Sequence, residues 1–455
     1  MKDIKNISSV YFLGIGGIGM SALARYFKSI GVKVSGYDKT PTVLTNKLKE
    51  EGIDIHFEDN ISLIDKNAEL VVYTPAVPKD HKEYNFLLEN NYTVLKRSDV
   101  LGMITKGTFS ICVAGTHGKT TTSAMIAHML RHSGYGCNAF LGGIATNYAT
   151  NFWSSEKNVS VAEADEYDRS FLKLFPDVAV ITAMDADHLD IYGTAEKLQD
   201  AFIEFANQVK PGGLLISKFG LSRSNEFKTA DKISYSMKEN AADAFAENIR
   251  LNNGSYVFDI VIRKEKISDV ELNMGGMHNI ENAVAAITVA KHIGIDDEKI
   301  KAAVASFRGV KRRFEYVIKN DELVMIDDYA HHPEELRALI TGAKELFPGK
   351  KCTVVFQPHL FSRTNDFADG FAEVLSLADE TILLPIYPAR EKPVEGVNSE
   401  MVLNKMVNNN KQVLSKESLL DWVKNNKVEL LITVGAGDID TLVEPIKNIL
   451  NPVGG

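Results

Sequence analysis

The apolar, partly β-branched run Phe109–Ala114 ends in Gly115-Thr116-His117-Gly118-Lys119-Thr120 and passes directly into an amphipathic stretch, Thr121–Arg131. A strand that turns through glycines into a helix aims backbone N–H groups and the positive helix end at one spot, which suits phosphate. Such a strand–turn–helix belongs to a parallel sheet, whose crossover connections place helices over its faces, so the chain is restricted to α/β architecture. Lys119 adds a positive charge and Thr120 a hydroxyl able to ligate Mg²⁺. The spacing departs from GxxxxGK[ST], because Val113 stands where that motif has its first glycine. The strand before the loop and the helix after it therefore carry the assignment.

The same alternation of short apolar runs and amphipathic stretches recurs along all 455 residues and divides them into three blocks. Block one, 1–106, contains expected strands Val10–Leu13, Val32–Ser35 and Leu70–Tyr73, with a helix through Ala24 and Phe27. Block two, 107–310, holds the loop and further strands Val159–Ala162 and Val178–Ile181. Block three, 311–455, offers strands Leu323–Ile326, Thr353–Phe356, Thr381–Leu384 and Leu430–Val434, and a helix Pro333–Leu346. A net charge of −9 argues against nucleic-acid or anionic-membrane partners, which need a basic footprint, so any phosphate site is local. Cys112, Cys137 and Cys352 are too few and scattered for a disulfide framework, and no apolar run approaches the length of a spanning helix. The expected compartment is the cytoplasm.

Two acidic clusters follow β-rich runs, Glu163-Ala164-Asp165-Glu166 and Asp185-Ala186-Asp187-His188. Strand ends are where α/β sheets place ligands, and carboxylate or imidazole groups there, with the Thr120 hydroxyl, suit a Mg²⁺ shared with nucleotide phosphates. Taken singly, each cluster also fits a solvated loop. Block one carries its own glycine turn: Gly14, Gly16 and Gly19 satisfy GxGxxG after a strand, and Asp38 stands 19 residues beyond Gly19. Alone, that fingerprint reads as NAD binding. A dehydrogenase has no use for the second phosphate loop, whereas a ligase needs separate sites for a nucleotide-sugar and ATP.

Eight stretches in order, Gly14–Met20, Gly115–Thr120, Glu163–Glu166, Met184–Gly193, Gly276–Asn282, Arg312–Phe314, Asp327–Pro333 and Gln357–Arg363, resemble the Mur ligase family over nearly the whole chain. The resemblance implies a Rossmann-like first domain for a UDP-sugar, a central P-loop ATPase-like domain, and a Rossmann-like third domain for the amino acid that also closes on ATP. It implies ATP-dependent ligation of L-alanine to the carboxylate of UDP-N-acetylmuramate through an acyl phosphate, with Mg²⁺, by a monomer or homodimer. For ATP it points to Gly115, Thr116, His117, Gly118, Lys119, Thr120, Thr121, Asn282 at the adenine, Arg313 at the phosphates and Asp328 at the ribose. Thr120 and Glu163 are implied for one Mg²⁺ and His188 for a second, with Lys119, His188 and Arg313 as the catalytic set. Gly14, Gly16, Gly17, Gly19, Asp38, Thr74 and Arg97 are implied for the UDP-sugar, and Tyr329, His359 and Arg363 for the amino acid.

Two departures stand out. Members acting on later amino acids carry a carbamylated lysine about one helix after the histidine matching His188, and 201–209 holds no lysine. Leu360 stands where some relatives have arginine after the QPH histidine. Folylpolyglutamate synthase shares the ATP core and the muropeptide-recycling ligase shares the first domain too, but the spelling GIGGIGM favours the alanine-adding type. A nucleotide switch without ligation is the reading from another class; the number of candidate sites along the three blocks speaks against it.

Overall fold

The computed structural model describes residues 4–186, 189–389 and 391–452. Three α/β domains are built on three sheets. The first sheet is wholly parallel, in the order Asp54–His56, Lys33–Tyr37, Ser9–Leu13, Leu70–Tyr73, Val94–Lys96. All five residues of Ser9–Leu13 are buried, since helices cover both faces and leave no solvated side for alternation to mark. The strand order reverses between Ser9–Leu13 and Leu70–Tyr73, which opens a crevice above their carboxyl ends, where Gly14 and Thr74 follow.

In the second sheet Phe109–Ala114 lies between Val178–Ile181 and Val159–Glu163, again in parallel, so Gly115, Ala164 and Thr182 leave the sheet side by side. Beyond Val178–Ile181 follow Leu214–Lys218, Asp231–Ser236 and three more strands out to Glu265–Leu272, and at the other edge the antiparallel pair Asn138–Ala145 and Thr150–Trp153. The third sheet centres on Leu430–Val434 between Val324–Asp328 and Cys352–Phe356, with Glu315–Lys319 antiparallel at one edge. Asp328, Gln357 and Gly435 stand at its carboxyl ends.

By internal contacts the chain divides into two compact units, 1–247 with 259–270 and 281–305, and 248–258 with 271–280 and 306–455. The first unit therefore joins the first sheet to most of the second, and side chains show how. Helix Ile18–Ser29 packs on the antiparallel edge pair, with Tyr26 against Phe140 and Phe152 at ring separations of 5.4 and 6.2 Å. Asn151, fully buried, donates to the Ile18 carbonyl and the Ser21 hydroxyl and accepts from the Arg25 guanidinium. Arg25 in turn holds Glu51. A buried amide with all these partners satisfied fixes the helix on the strand as apolar contact alone does not. Cys112, Cys137 and Cys352 are buried and unpaired, and burial pushes their thiols up to about 12.

Candidate active site

The phosphate loop is a turn with almost no spare volume. Thr116 N–H donates to the Ala183 carbonyl at 3.2 Å, and the Thr182 hydroxyl donates to the Ala114 and His117 carbonyls, so the end of strand Val178–Ile181 braces the loop from beneath. Gly118 has φ +81°, and a Cβ there would stand 2.7 Å from Asn282 Oδ1. The same Asn282 oxygen accepts from the Thr122 hydroxyl at 3.2 Å. Asn282, implied by the resemblance for adenine, is thus placed against the loop itself, its side chain nearly buried. Helix Lys119–His132 begins at once, with Thr121 buried in its first turn.

Lys119 Nζ donates to the Gly115 carbonyl at 2.6 Å and lies 2.8 Å from both carboxylate oxygens of Glu166. Glu166 is completely buried. Burial pushes its carboxyl up and the Lys119 ammonium pulls it back, the balance expected of an internal ion pair. Glu163 stands on the other side: its carboxyl is likewise pushed up by burial, then lowered by Lys119, by the Thr120 hydroxyl and by the Gly142 N–H, 3.1 Å away. The ammonium is held between two carboxylates at the mouth of a helix N-terminus. Thr120 and Glu163, joined by a side-chain hydrogen bond, are two oxygen-bearing groups of the kind that could hold a nucleotide-bound Mg²⁺, an ion that takes few protein ligands and fills its shell with phosphate and water. Among the described residues no group of three or more His, Cys, Asp or Glu has the arrangement of a self-sufficient metal cage. Asp187 and His188, the latter implied for a second Mg²⁺, lie outside the described residues.

In the same unit the glycine turn of the first sheet gathers the residues implied for the UDP-sugar. Gly14 N–H and Ile15 N–H both donate to the Tyr37 carbonyl. Asp38 Oδ2 accepts from Gly16 N–H at 2.7 Å, so the carboxylate that the dinucleotide fingerprint offers to a ribose here ties down the turn. A Cβ on Gly14 would meet the Thr74 methyl at 2.5 Å, and one on Gly19 would meet the Arg97 guanidinium at 3.0 Å. Arg97 therefore crosses the start of helix Ile18–Ser29, following Gly17, and also lies 3.9 Å from Asp165, the residue before Glu166, which pairs with Lys119. One arginine spans from the first glycine turn to the acidic stretch beside the second.

The second unit assembles its own set. Arg312 and Phe314 both have positive φ, +61° and +47°, in a turn held by Asp328, whose Oδ2 accepts Phe314 N–H at 2.6 Å and Oδ1 accepts Ala330 N–H at 2.7 Å. Non-glycine residues in that region carry strain that clusters at working sites. Burial pushes the Asp328 carboxyl up, and those two N–H groups and Arg313 oppose it. Burial pushes neighbouring Asp327 up to about 7, against the Thr433 hydroxyl and Arg312. The Tyr329 ring receives the guanidinium of Arg312 at 5.1 Å and of Arg313 at 5.6 Å. His331 packs on Tyr329 and then on His359, and Arg363 Nη1 lies 3.4 Å from His359 Nδ1. Tyr387 stacks on His359, with ring centroids 5.8 Å apart. Burial holds both imidazoles below the usual histidine range, and Arg363 adds to the effect at His359. Leu360, φ +69°, turns the chain so that the helix Phe361–Asp366 brings Arg363 back to His359.

The sequence reading missed Glu166 as the partner of Lys119 and gave no role to His331 or Tyr387. The first two sit inside stretches it quoted, EADE and DDYAHHP, whereas nothing around Tyr387 signalled it.

The profile of the Mur ligase family catalytic domain matches residues 9–108, that of the Mur ligase middle domain 113–290, and that of the Mur ligase glutamate ligase domain 312–437. The chain is 52% identical to the UDP-N-acetylmuramate–L-alanine ligase of Flavobacterium johnsoniae, over 99% of each chain, and 51% identical to that of Parabacteroides distasonis, over 98% of each. The chain belongs to the Mur ligase family. Among solved structures it is similar to the UDP-N-acetylmuramate-alanine ligase of Thermotoga maritima, with a TM-score of 0.81 at 29% identity over 97% of this chain and 98% of that one. Each of the three matched segments covers most of one of the three sheets.

In this Mur ligase the loop leaves no room for a methyl group at Gly118. Gly118→Ala combines left-handed backbone strain of about 1–2 kcal/mol with the clash on Asn282, and is expected to abolish ATP-dependent turnover while calorimetric affinity for the UDP-sugar stays at the wild-type value. Gly294→Ala, equally left-handed at φ +85° but facing open space, serves as control and is expected to retain activity. Normal turnover in Gly118→Ala contradicts the placement of the loop.

Proposed function

We propose that the chain joins L-alanine to the carboxylate of UDP-N-acetylmuramate, with conversion of ATP to ADP and phosphate, as a step in peptidoglycan precursor synthesis. The observation that carries this is that about half the residues agree with ligases of that name over 99% of both chains.

A carboxylate is a poor acyl donor and its attack on the γ-phosphate brings two anions together, so the site must supply positive charge and alignment. Lys119, held ready at the loop, meets the phosphates of ATP. Arg97, between the two glycine turns of the first unit, faces the UDP-sugar. Thr120 and Glu163 hold Mg²⁺, and His188 is assigned to a second ion. An ion held by these residues would supply charge neutralisation to the phosphates. The first domain, 1–106, binds the UDP-sugar, the second, 107–310, binds ATP, and the third, 311–455, takes the amino acid, with Arg313 and Asp328 assigned to the phosphates and ribose of ATP. A guanidinium grips a carboxylate bidentately, and Arg363 with His359 and Tyr329 is the set offered to alanine. Burial first, and the Arg363 charge after it, disfavour the protonated forms of His331 and His359 beside that cation. The compartment proposed is the cytoplasm: no helix among the described residues is long and apolar enough to cross a membrane, and the three cysteines are free thiols. The oligomeric state proposed is a monomer or homodimer.

Two tests address the reaction and its third substrate. If the acyl phosphate forms, UDP-N-acetylmuramate labelled with ¹⁸O in its carboxylate transfers one labelled oxygen to the phosphate released, read by mass spectrometry; unlabelled phosphate contradicts the route. Arg363→Lys keeps the charge and loses the fork. It is expected to raise the KM for L-alanine by more than about tenfold with the KM values for ATP and UDP-sugar near wild type, and an unchanged alanine KM removes Arg363 from the site.

A further inference from the structure

Away from both glycine turns, the first unit contains a cleft of about 800 Å³ that the ligase reading does not use. It is lined by the C-terminal half of helix Ile18–Ser29, through Arg25 and Lys28, by Arg131 in the last turn of helix Lys119–His132, and by Phe152 and Trp153 of the edge strand, with Glu51 at its rim. The size falls within the range of small-molecule sites, about 300–1,000 Å³.

Its charge is unusual for this chain. The protein carries −9 overall, yet the cleft presents three cations and one carboxylate. Glu51 is bound by Arg25, at 2.7 and 2.8 Å, and so is already neutralised. Lys28 is exposed and, among the described residues, donates only to the Gly52 carbonyl, at 3.1 Å. Arg131 is exposed and, among the described residues, has no carboxylate partner; its guanidinium rests on the faces of Tyr148, at 4.1 Å, and Trp153, at 5.4 Å. Tyr148 is itself fixed by a 2.8 Å hydrogen bond to the buried His128. Arg131 is therefore oriented before any ligand arrives, which reduces the entropy lost on binding. Basic residues in last helical turns often do no more than offset the helix dipole. That account explains neither an aromatic seat for the guanidinium nor the convergence of two such turns on one cavity.

Two unmatched cations suit a dianion, a guanidinium fork suits phosphate oxygens, and the apolar floor of Phe152 and Trp153 suits a hydrocarbon or ring. Each basic residue also sits at the far end of a helix whose first turn adjoins a glycine loop: Lys28 on the helix that follows Gly17, Arg131 on the helix that follows Gly118. A ligand bridging Lys28 and Arg131 ties those two helices together across the edge strands on which they pack. We propose that this cleft is a second anion site, for a small phosphate monoester with an apolar body, and that its occupancy is coupled to nucleotide binding at the two loops. The proposal goes beyond the ligase reading and stands apart from it, because its binding test requires no turnover.

The test uses the full chain with both loops filled by a non-hydrolysable ATP analogue and UDP-N-acetylmuramate, and phenyl phosphate as probe in calorimetry. Saturable binding is expected, with inorganic phosphate and phenol each weaker. Arg131→Gln combined with Lys28→Gln is expected to weaken phenyl phosphate by at least about tenfold while ligation without the probe stays unchanged. In steady-state assays the probe is expected to shift the KM for UDP-sugar or ATP by roughly fivefold or more in the wild type and not in the double variant. Binding abolished by filling the loops assigns the probe to those loops and overturns the site. Binding unaffected by the double variant, or no binding at all, overturns it equally. Saturation of the cleft with no change in either KM overturns the coupling.

Discussion

The ammonium of Lys119, fixed between the Gly115 carbonyl and the two oxygens of Glu166, is the interaction from which the rest of the site follows. A buried carboxylate is costly unless paired, and an ammonium at a helix N-terminus is repelled by the helix dipole; each group makes the other tenable. For that pair to exist, three strands must end together: Phe109–Ala114 delivers the loop, Val159–Glu163 the acidic stretch and Val178–Ile181 the Thr182 brace. Parallel pairing in one sheet is what makes three sequence-distant ends coincide. The glycine at 118 and the buried Asn282 behind it then leave the loop one shape.

An acidic protein that handles two polyphosphate substrates has to concentrate its positive charge. The cations proposed for that task are few: Lys119 and Arg97 in the first unit, Arg313 and Arg363 in the second, with Arg312 beside Arg313. None is a freely solvated cation. Arg97 lies against Gly19 and near Asp165, Arg312 and Arg313 share the Tyr329 ring, and Arg363 leans on His359. Such supports lower the reorganisation needed when substrate charge arrives, which is how electrostatic stabilisation gains its size. The same arithmetic makes the basic cleft conspicuous, because two of its three cations, Lys28 and Arg131, meet no carboxylate among the described residues.

Much of the architecture was legible in the residues. Strands Leu70–Tyr73, Phe109–Ala114, Val178–Ile181 and Leu430–Val434 and helix Pro333–Leu346 have the bounds their apolar runs and flanking turns announced. Others shifted by a residue or two; Val32–Ser35 is observed as Lys33–Tyr37, because pairing with Ser9–Leu13 and not local apolarity sets a strand's ends. The antiparallel pair Asn138–Ala145 and Thr150–Trp153 went unread: its glycines and alanines lack a strand's composition, and it is held by helix Ile18–Ser29, more than a hundred residues away in sequence. Within the site, motifs located the loops but not their partners. Asn282 braces a loop 160 residues distant, and Asp38 ties its own turn, because such contacts are properties of the packed chain.

The central claim is that three substrates meet in one reaction. Phosphate release measured with ATP and Mg²⁺, with and without UDP-N-acetylmuramate, against a panel of amino acids, tests it most directly. The account predicts release that requires the UDP-sugar and an amino acid together, fastest with L-alanine, and formation of UDP-N-acetylmuramoyl-L-alanine in equal amount. Release that proceeds at full rate without the UDP-sugar, or that yields no amide product with any amino acid, contradicts it.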